Sequence, residues 1–169
     1  MKPVTEKENK LVKKIINPYA KTEGYNCFGC SPDNENGLQM QFVEDGDFLI
    51  CEWEPRGFLQ GYHNVLHGGI QATLLDEIAS WFVQIKIKTA GVTSNMNLRL
   101  RKTVPSNQGK LILRAWLKET RRNLVDVNVE LINPDGKVGA DGVVTYYTFS
   151  PEVAKEKLRF PDYQEFFEK

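Results

Sequence analysis

The most regular apolar pattern in the chain covers residues 69–87 and has the period of an α-helix. Apolar side chains recur every four residues along one ridge and also fill the ridge beside it. The two ridges consist of Ile70, Leu74, Leu75, Ile78, Ala79, Phe82 and Val83. Asp76 and Glu77 are the only charged residues before Lys86, so the pattern predicts one long helix that other elements largely enclose.

The segments after this helix alternate apolar and polar residues with the period of a β-strand. They cover residues 93–101, 111–118 and 125–131, and residues 138–149 supply a last strand. In the first segment, alternation places Thr93 on the polar face with Asn95 and Asn97. Consecutive strands joined by tight turns predict an antiparallel sheet whose apolar face the long helix covers.

The segments before the helix are shorter and less regular. Residues 5–16 predict a short amphipathic helix that ends at Asn17-Pro18, because the residue before proline avoids helical backbone angles. Residues 38–43 and 48–54 predict a hairpin around a turn at 44–47, and Pro151 opens a short C-terminal helix.

The element order predicts an α+β fold in which a curved antiparallel sheet wraps around one long central helix. We expect an N-terminal helix and loop at residues 1–25, the main domain at 26–150, and a C-terminal helix and tail at 151–169.

The composition fits one globular domain. The chain has 169 residues, of which 41% are hydrophobic and 26% charged, enough to bury a core. Its 22 basic and 22 acidic residues leave no net charge, which argues against general nucleic-acid binding, where neutralised phosphates supply much of the affinity. No apolar run reaches the ~18 residues of a membrane span, and the N-terminus lacks the apolar stretch of a secretory signal. With three cysteines and no disulfide framework, we expect a cytoplasmic protein.

Candidate chemistry concentrates in residues 60–69, which lead directly into the long helix. Gly68 and Gly69 let a bound group approach the first helical N–H groups, which have no intrahelical partner and can stabilise an oxyanion. Seven residues after Gly69, Asp76 places a carboxylate in the apolar helix, and Glu77 follows ~100° further around it. Because a buried charge is costly unless it is paired or used, at least one carboxylate has a task. The alternative is a flexible glycine loop and a solvated acidic face.

Three motifs occur in order along residues 26–149. They are Cys27-Phe28-Gly29-Cys30 with Pro32-Asp33-Asn34 and Gly37-Leu38; His67-Gly68-Gly69-Ile70 with Leu74-Leu75-Asp76-Glu77; and Val92-Thr93-Ser94-Asn95-Met96-Asn97-Leu98. Together they resemble the hotdog-fold acyl-CoA thioesterases of the phenylacetyl-CoA and 4-hydroxybenzoyl-CoA thioesterase type. The resemblance implies a hotdog fold, which agrees with the predicted sheet and helix, and an active site at a dimer interface.

The resemblance also implies the catalytic groups. Asp76 matches the family's catalytic carboxylate, which acts as a general base or a nucleophile on the thioester. Gly68 matches the residue whose backbone N–H polarises the thioester carbonyl, and Gly69 begins the helix. Glu77 is then a supporting residue. This chemistry hydrolyses an acyl-CoA to the free acid and CoA, with no metal and no cofactor other than the CoA of the substrate.

Further site residues follow from the same resemblance. His67 is expected to order the glycine loop, and Gln60 lies near the family's Asn or Gln that assists at the carbonyl. Thr93 resembles a hydroxyl that positions the water. Because each subunit holds half of such a site, we expect a homodimer, which many relatives pair into a homotetramer.

Coenzyme A carries several phosphate charges, which a chain without net charge must meet with a local basic patch. The candidates, chosen because arginine pairs well with phosphate, are Arg99, Arg101, Lys102, Arg121 and Arg122. We expect Arg121 and Arg122 to bind the substrate together with Gly69 and Asn95. Alternatively, these arginines only keep the sheet surface soluble. The sequence does not identify the acyl group. The aromatic residues that could line an aromatic or medium-chain pocket could equally belong to the core, namely Phe58, Tyr62, Trp81 and Phe82.

Three other functions stay open. A hotdog protein can bind an acyl-CoA without turnover. A hotdog dehydratase acts on 3-hydroxyacyl thioesters, typically with a proline-containing histidine loop, and Leu66-His67-Gly68-Gly69 has no proline. Cys27 and Cys30 are compatible with a redox or zinc protein, but they supply two of the four zinc ligands needed, and the βαβ context of thioredoxins is absent. We favour a structural loop at these cysteines.

Overall fold

The computed structural model describes residues 12–168, which form a seven-stranded antiparallel sheet curved around one long helix. The strands are β1 (Lys13–Lys14), β2 (Val43–Asp45), β3 (Phe48–Trp53), β4 (Gly91–Leu100), β5 (Leu111–Arg121), β6 (Leu124–Ile132) and β7 (Val138–Thr148). Their order in the sheet is β1-β2-β3-β5-β6-β7-β4. The predicted fold class is confirmed.

The central helix α1 spans Gly68–Phe82 and continues as a π-helical turn over Val83–Ile87. It ends at Lys88, whose φ of 60° is left-handed. Its apolar ridges are buried against β3, β4, β5, β6 and β7, as the four-residue repeat predicts. Among the described residues, no helix is long and apolar enough to cross a membrane.

The predicted strand at 38–43 is displaced toward its C-terminal end. Only Val43–Asp45 pairs with β3, through a two-residue turn at Gly46 and Asp47 in which Gly46 has a φ of 57°. Leu38 and Met40 are buried, as alternate positions of a strand would be. Their N–H groups, however, donate to the carbonyls of Phe28 and Gly29 in the loop that carries Cys27 and Cys30 (the cysteine loop) instead of to a strand. Burial therefore follows the predicted pattern, whereas the hydrogen-bond partner does not.

The N-terminal helix prediction is wrong for the part that the structure describes. Lys13 and Lys14 form the short edge strand β1 against β2, and the Ile15 N–H donates to Phe42. Residues 5–11 of the predicted helix lie outside the described residues. At the other terminus, α2 spans Pro151–Leu158 as predicted, and a following turn places fully buried Phe166 edge-on to Trp81 of α1.

Strand β4 lies at the edge of the sheet and carries a β-bulge. It pairs with β7 alone, and its register shifts between Thr93 and Asn95. Because of this shift, Thr93 lies opposite buried Tyr146 and shares the helix-facing side with Met96, which lies opposite Val144. The predicted position of Thr93 on the polar face is therefore wrong, since strict alternation fails where a strand contains an extra residue.

Candidate functional site

Asp76 lies in the middle of α1 and faces the bulged end of β4 and the neighbouring end of β7. One of its carboxylate oxygens, Oδ1, accepts hydrogen bonds from Thr93 Oγ1 at 2.8 Å and from the Tyr146 hydroxyl at 2.7 Å. The two hydroxyl oxygens are 3.1 Å apart. Among the described residues, none donates to the second oxygen, Oδ2. One oxygen of the carboxylate is thus fixed, and the other is open to a substrate or water.

Tyr146 is a site residue that the sequence interpretation missed. Its side chain is 3% exposed, and burial together with the charge of Asp76 raises the pKa of its phenol. The hydroxyl therefore stays protonated and acts as a hydrogen-bond donor to the carboxylate. A signal was present in the sequence, because Tyr146 continues the buried alternation of Val144 and Ala140, and a buried tyrosine hydroxyl needs a partner.

The glycine loop begins α1 at the opposite end of β4. His67 Nδ1 accepts a hydrogen bond from the Gly69 N–H at 2.9 Å and so caps the helix. Among the residues that the structure describes, none accepts a hydrogen bond from the Gly68 N–H. A Cβ on Gly68 would lie 3.1 Å from the Leu100 side chain of β4, so a larger residue here would crowd that side chain.

Gln60 orders the same loop rather than pointing to Asp76. Its Oε1 accepts a 3.0 Å hydrogen bond from the Asn64 N–H, and its backbone pairs with Leu66. A cavity of about 620 Å³ lies beside Gly68 and is lined also by Arg101 and Lys102. Backbone N–H groups and cationic side chains thus share one end of the sheet.

A single chain does not bring the glycine loop to the carboxylate. Asp76 lies eight residues after Gly68 on α1, which at a rise of 1.5 Å per residue is about 12 Å. Thr93 and Leu100, the β4 neighbours of these two groups, lie near opposite ends of that strand. Within one chain, the predicted glycine loop and the predicted carboxylate of Asp76 are therefore too far apart to act on the same bond.

The predicted substrate-binding residues of the sheet lie apart from the glycine loop. Asn95 lies opposite Thr145, on the face of β4 that points away from α1. Arg121 forms an ion pair with Asp126 at 2.8 Å, and Arg122 occupies the β5–β6 turn with a φ of 53°. This turn lies at the Thr93 end of the sheet, since β6 pairs with β7 next to Tyr146.

Glu77 has different surroundings from Asp76, as the helical spacing predicts. Its Oε1 accepts a 3.1 Å hydrogen bond from the Trp81 indole and lies 3.5 Å from Cys27 Sγ. Burial, followed by the negative charge of Cys27, raises the pKa of Glu77 to about 7. One oxygen of Glu77 and the sulfurs of Cys27 and Cys30 lie within 4.8 Å of one another.

Comparison with known proteins identifies relatives by family and by fold. Residues 63–140 match the family described as the thioesterase superfamily. The match includes the glycine loop, α1, β4 and Asp76 and ends within β7 before Tyr146. No curated protein sequence matches the chain.

Solved structures share the fold at low sequence identity. A protein described as a thioesterase superfamily protein superposes with a TM-score of 0.63 at 19% identity over 69% of this chain, which spans 57% of that protein. A thioesterase from Haemophilus influenzae superposes with a TM-score of 0.61 at 20% identity, and the match covers 69% of this chain and 85% of that one. A Streptococcus mutans protein bound to acetyl-CoA superposes with a TM-score of 0.61 at 19% identity, and the match covers 78% of this chain and 98% of that one.

Proposed function

Since this chain has a hotdog fold and its residues 63–140 match the thioesterase superfamily, we propose that it hydrolyses an acyl-CoA to the free acid and CoA. The observation that carries the proposal is the carboxylate of Asp76. Two hydroxyl donors fix its Oδ1, and no described residue donates to its Oδ2. A carboxylate held in this way can take a proton from water or attack a thioester carbon with its open oxygen.

The glycine loop can stabilise the negative charge that develops on the thioester oxygen during hydrolysis. Attack on the carbonyl carbon places negative charge on the carbonyl oxygen. The Gly68 N–H, at the positive end of α1, stabilises that oxygen, and loss of one such donor typically costs ~3–4 kcal/mol. His67 holds the loop by accepting from the Gly69 N–H, and Thr93 fixes the carboxylate and borders the attacking water. Gln60 supports the loop through Asn64.

Two copies of the chain are needed to complete the site. The outer edge of β4 is unpaired within the chain and exposes Val92, Met96 and Leu100. Antiparallel pairing of two β4 edges about a two-fold axis near Asn97 sets the Thr93 end of one strand against the Leu100 end of the other. The carboxylate half of one copy then lies beside the glycine half of the second. A homodimer, which can pair further into a tetramer, is therefore part of the proposal.

The same pairing gathers the basic residues proposed for the CoA phosphates. Lys102 and Arg101 lie beside Gly68, and Arg121 and Arg122 lie at the Thr93 end of the sheet. In an antiparallel pair, these two groups come from different copies and lie at the same end of the paired sheets. The acetyl-CoA bound to the Streptococcus mutans protein supports a substrate of this class. Gly69 and Asn95 remain proposed substrate contacts, and no cofactor other than the CoA of the substrate is proposed.

Thiol release from short, medium, long and aryl acyl-CoAs tests the proposal. We expect turnover of at least one of them by the wild type. Asp76→Asn should lower kcat by at least about a hundredfold, because the amide cannot act as base or nucleophile. Glu77→Gln is the matched control on the adjacent position and should lower kcat much less.

Two outcomes would contradict this proposal. A folded dimer that releases no thiol from any of these substrates favours the alternative, a hotdog module that binds acyl-CoA without turnover. A larger loss in Glu77→Gln than in Asp76→Asn would refute the assignment of Asp76 while sparing the activity.

A further inference from the structure

The cysteine loop lies against the face of α1 that carries Glu77, away from Asp76. Cys27 is half-buried and Cys30 is 5% exposed, and both thiols are free. Their sulfurs are 3.0 Å apart, with the Cys30 S–H donating to Cys27. The proposed hydrolysis uses none of these groups, so the pair needs a separate explanation.

The two thiols have opposite electrostatic environments. Donation from the Cys30 S–H, together with the N–H groups of Cys30 and Gly29, outweighs burial and lowers the pKa of Cys27 to about 5. The bond to Cys27 and burial raise the pKa of the Cys30 thiol, whose sulfur also lies 2.9 Å from the Tyr25 hydroxyl. At neutral pH, Cys27 is therefore the nucleophilic thiolate and Cys30 the protonated thiol.

Glu77 completes the cluster because residue 29 is a glycine. A Cβ at Gly29 would lie 2.6 Å from Glu77 Cγ, so a side chain there would displace the carboxylate. With glycine at this position, the Glu77 oxygen lies within 4.8 Å of both sulfurs. That distance allows a proton to pass from Cys30 to Glu77 directly or through one water.

A cavity gives a small reactant access to this cluster. It has a volume of about 480 Å³ and is lined by Cys27, Cys30 and Glu77, with Arg159 contributing a cation at its wall. Glu23 also lines it, so among the described residues Arg159 is the one cation of this lining that can pair with a carboxylate of a low-molecular-weight disulfide.

The geometry favours thiol–disulfide chemistry over zinc. Two thiolates bound to one tetrahedral zinc at ~2.3 Å stand roughly 3.8 Å apart, further than the 3.0 Å observed. Within residues 12–168, the cluster has three donors of the His, Cys, Asp and Glu types and no fourth.

We propose that Cys27 and Cys30 form a reversible disulfide by exchange with a low-molecular-weight disulfide, and that Glu77 accepts the proton of Cys30. In the first step, the Cys27 thiolate attacks one sulfur of the reactant, whose S–S bond breaks and releases one thiolate. In the second step, Cys30 transfers its proton to Glu77 and attacks Cys27 Sγ, and the second thiolate leaves. The two cysteines lose two electrons, and the reactant is reduced to two thiolates, which take up protons from Glu77 and solvent.

The first step of the exchange makes Glu77 a better acceptor for the proton of Cys30. The negative charge of Cys27 is one cause of the raised pKa of Glu77. The mixed disulfide removes this charge, so the pKa of Glu77 falls and the carboxylate ionises before Cys30 has to lose its proton. The active-site carboxylate Asp76 takes no part, since it faces β4 and β7.

Exchange with oxidised glutathione tests the proposal on the intact chain. Reduced protein is incubated with the probe at neutral pH, alkylated and mapped by mass spectrometry. We expect a Cys27–Cys30 disulfide that dithiothreitol reverses. Cys30→Ser should stop at a stable glutathione adduct on Cys27, and Cys27→Ser should give no adduct at Cys30. In Glu77→Gln, the adduct should form at the wild-type rate and resolve at least about tenfold more slowly.

The controls separate this chemistry from other cysteine behaviour. Cys51, buried in β3, is 1% exposed and should stay unmodified, and Cys51→Ala should exchange like the wild type. Mapping of the wild type needs no variant and so does not depend on how the variants fold. Two results would overturn the proposal: no Cys27–Cys30 bond in the wild type, or one equivalent of zinc in the purified protein that protects both thiols. Equal resolution rates in wild type and Glu77→Gln would remove Glu77 from the mechanism.

Discussion

The hydroxyl of Tyr146, on β7, donates a 2.7 Å hydrogen bond to the Oδ1 oxygen of Asp76, on α1. The two residues are 70 positions apart, and the bond ties the central helix to the inner face of the sheet. Because the phenol is buried, it keeps its proton and stays directed at the carboxylate. The bond fixes the direction in which the open oxygen of Asp76 points.

Tyr146→Phe should lower kcat by about tenfold to a hundredfold, with a smaller change in KM. The ring still fills its place in the core, but Oδ1 loses one of its two donors and the carboxylate can rotate. Steady-state thiol release on the best acyl-CoA measures the effect. Tyr147→Phe, on the opposite face of β7, is the control and should leave both constants unchanged. Equal losses in the two variants would show that Tyr146 does not act on Asp76.

The sequence predicts the regular parts of the fold because their burial pattern is repeated many times. The helix at 69–87 and the first three strands after it each repeat one spacing over seven or more residues. These four elements and the last strand are all confirmed. The resemblance to hotdog-fold thioesterases agrees with the match of residues 63–140 to the thioesterase superfamily. A repeated pattern tolerates one irregular position without changing the element that it predicts.

The prediction from the sequence is wrong where one local irregularity or one tertiary contact decides the position or the hydrogen-bond partner of a residue. The β-bulge at Ser94 moves Thr93 to the helix-facing side, and no composition signal marks it. The hydrogen bonds of Leu38 and Met40 go to the cysteine loop, a tertiary contact that alternation does not encode. Glu77 lies close to Cys27 only because the cysteine loop packs against α1, although the two residues are fifty positions apart in the sequence. Each of these features requires three-dimensional contacts to be known first.

Met96→Glu should dissociate the proposed dimer and with it the activity. Met96 lies near the middle of the exposed β4 edge, and two-fold pairing would bring two glutamates close together. Like charges at an interface cost several kcal/mol, so the dimer Kd should rise at least about a hundredfold. Sedimentation equilibrium and thiol release measure the two effects. Ile112→Glu, on β5, is matched in exposure at 39% against 38% for Met96 and should stay dimeric and active. A dimeric Met96→Glu protein would place the interface elsewhere.

Gly142→Ala should destabilise the junction of β4 and β7 by about 1–3 kcal/mol. A Cβ at Gly142 would overlap the Asn97 carbonyl oxygen and lie 2.9 Å from Leu98 Cα, so the backbone of β4 has to move. Chemical denaturation measures the free energy of unfolding. Gly57→Ala, where a Cβ would have no neighbour within 4 Å, is the control and should change it little. If both variants unfold alike, the close approach of β4 to β7 is not a constraint on stability.

The Cys27 thiol should titrate far below an ordinary cysteine, with a midpoint near pH 5. The pKa falls from 9.0 to about 5 because Cys30 and backbone N–H groups donate to the sulfur, so rising pH converts it to thiolate through that midpoint. The other titratable or charged groups around the cluster are Cys30, Tyr19, Tyr25, Glu23, Glu77 and Arg159. Both phenols have raised pKa values and stay neutral. The ultraviolet absorbance of thiolate, followed with pH, should show this step in the wild type and in Cys51→Ala, and lose it in Cys27→Ser. A single step near the ordinary cysteine pKa would show that Cys30 does not donate to Cys27 in solution.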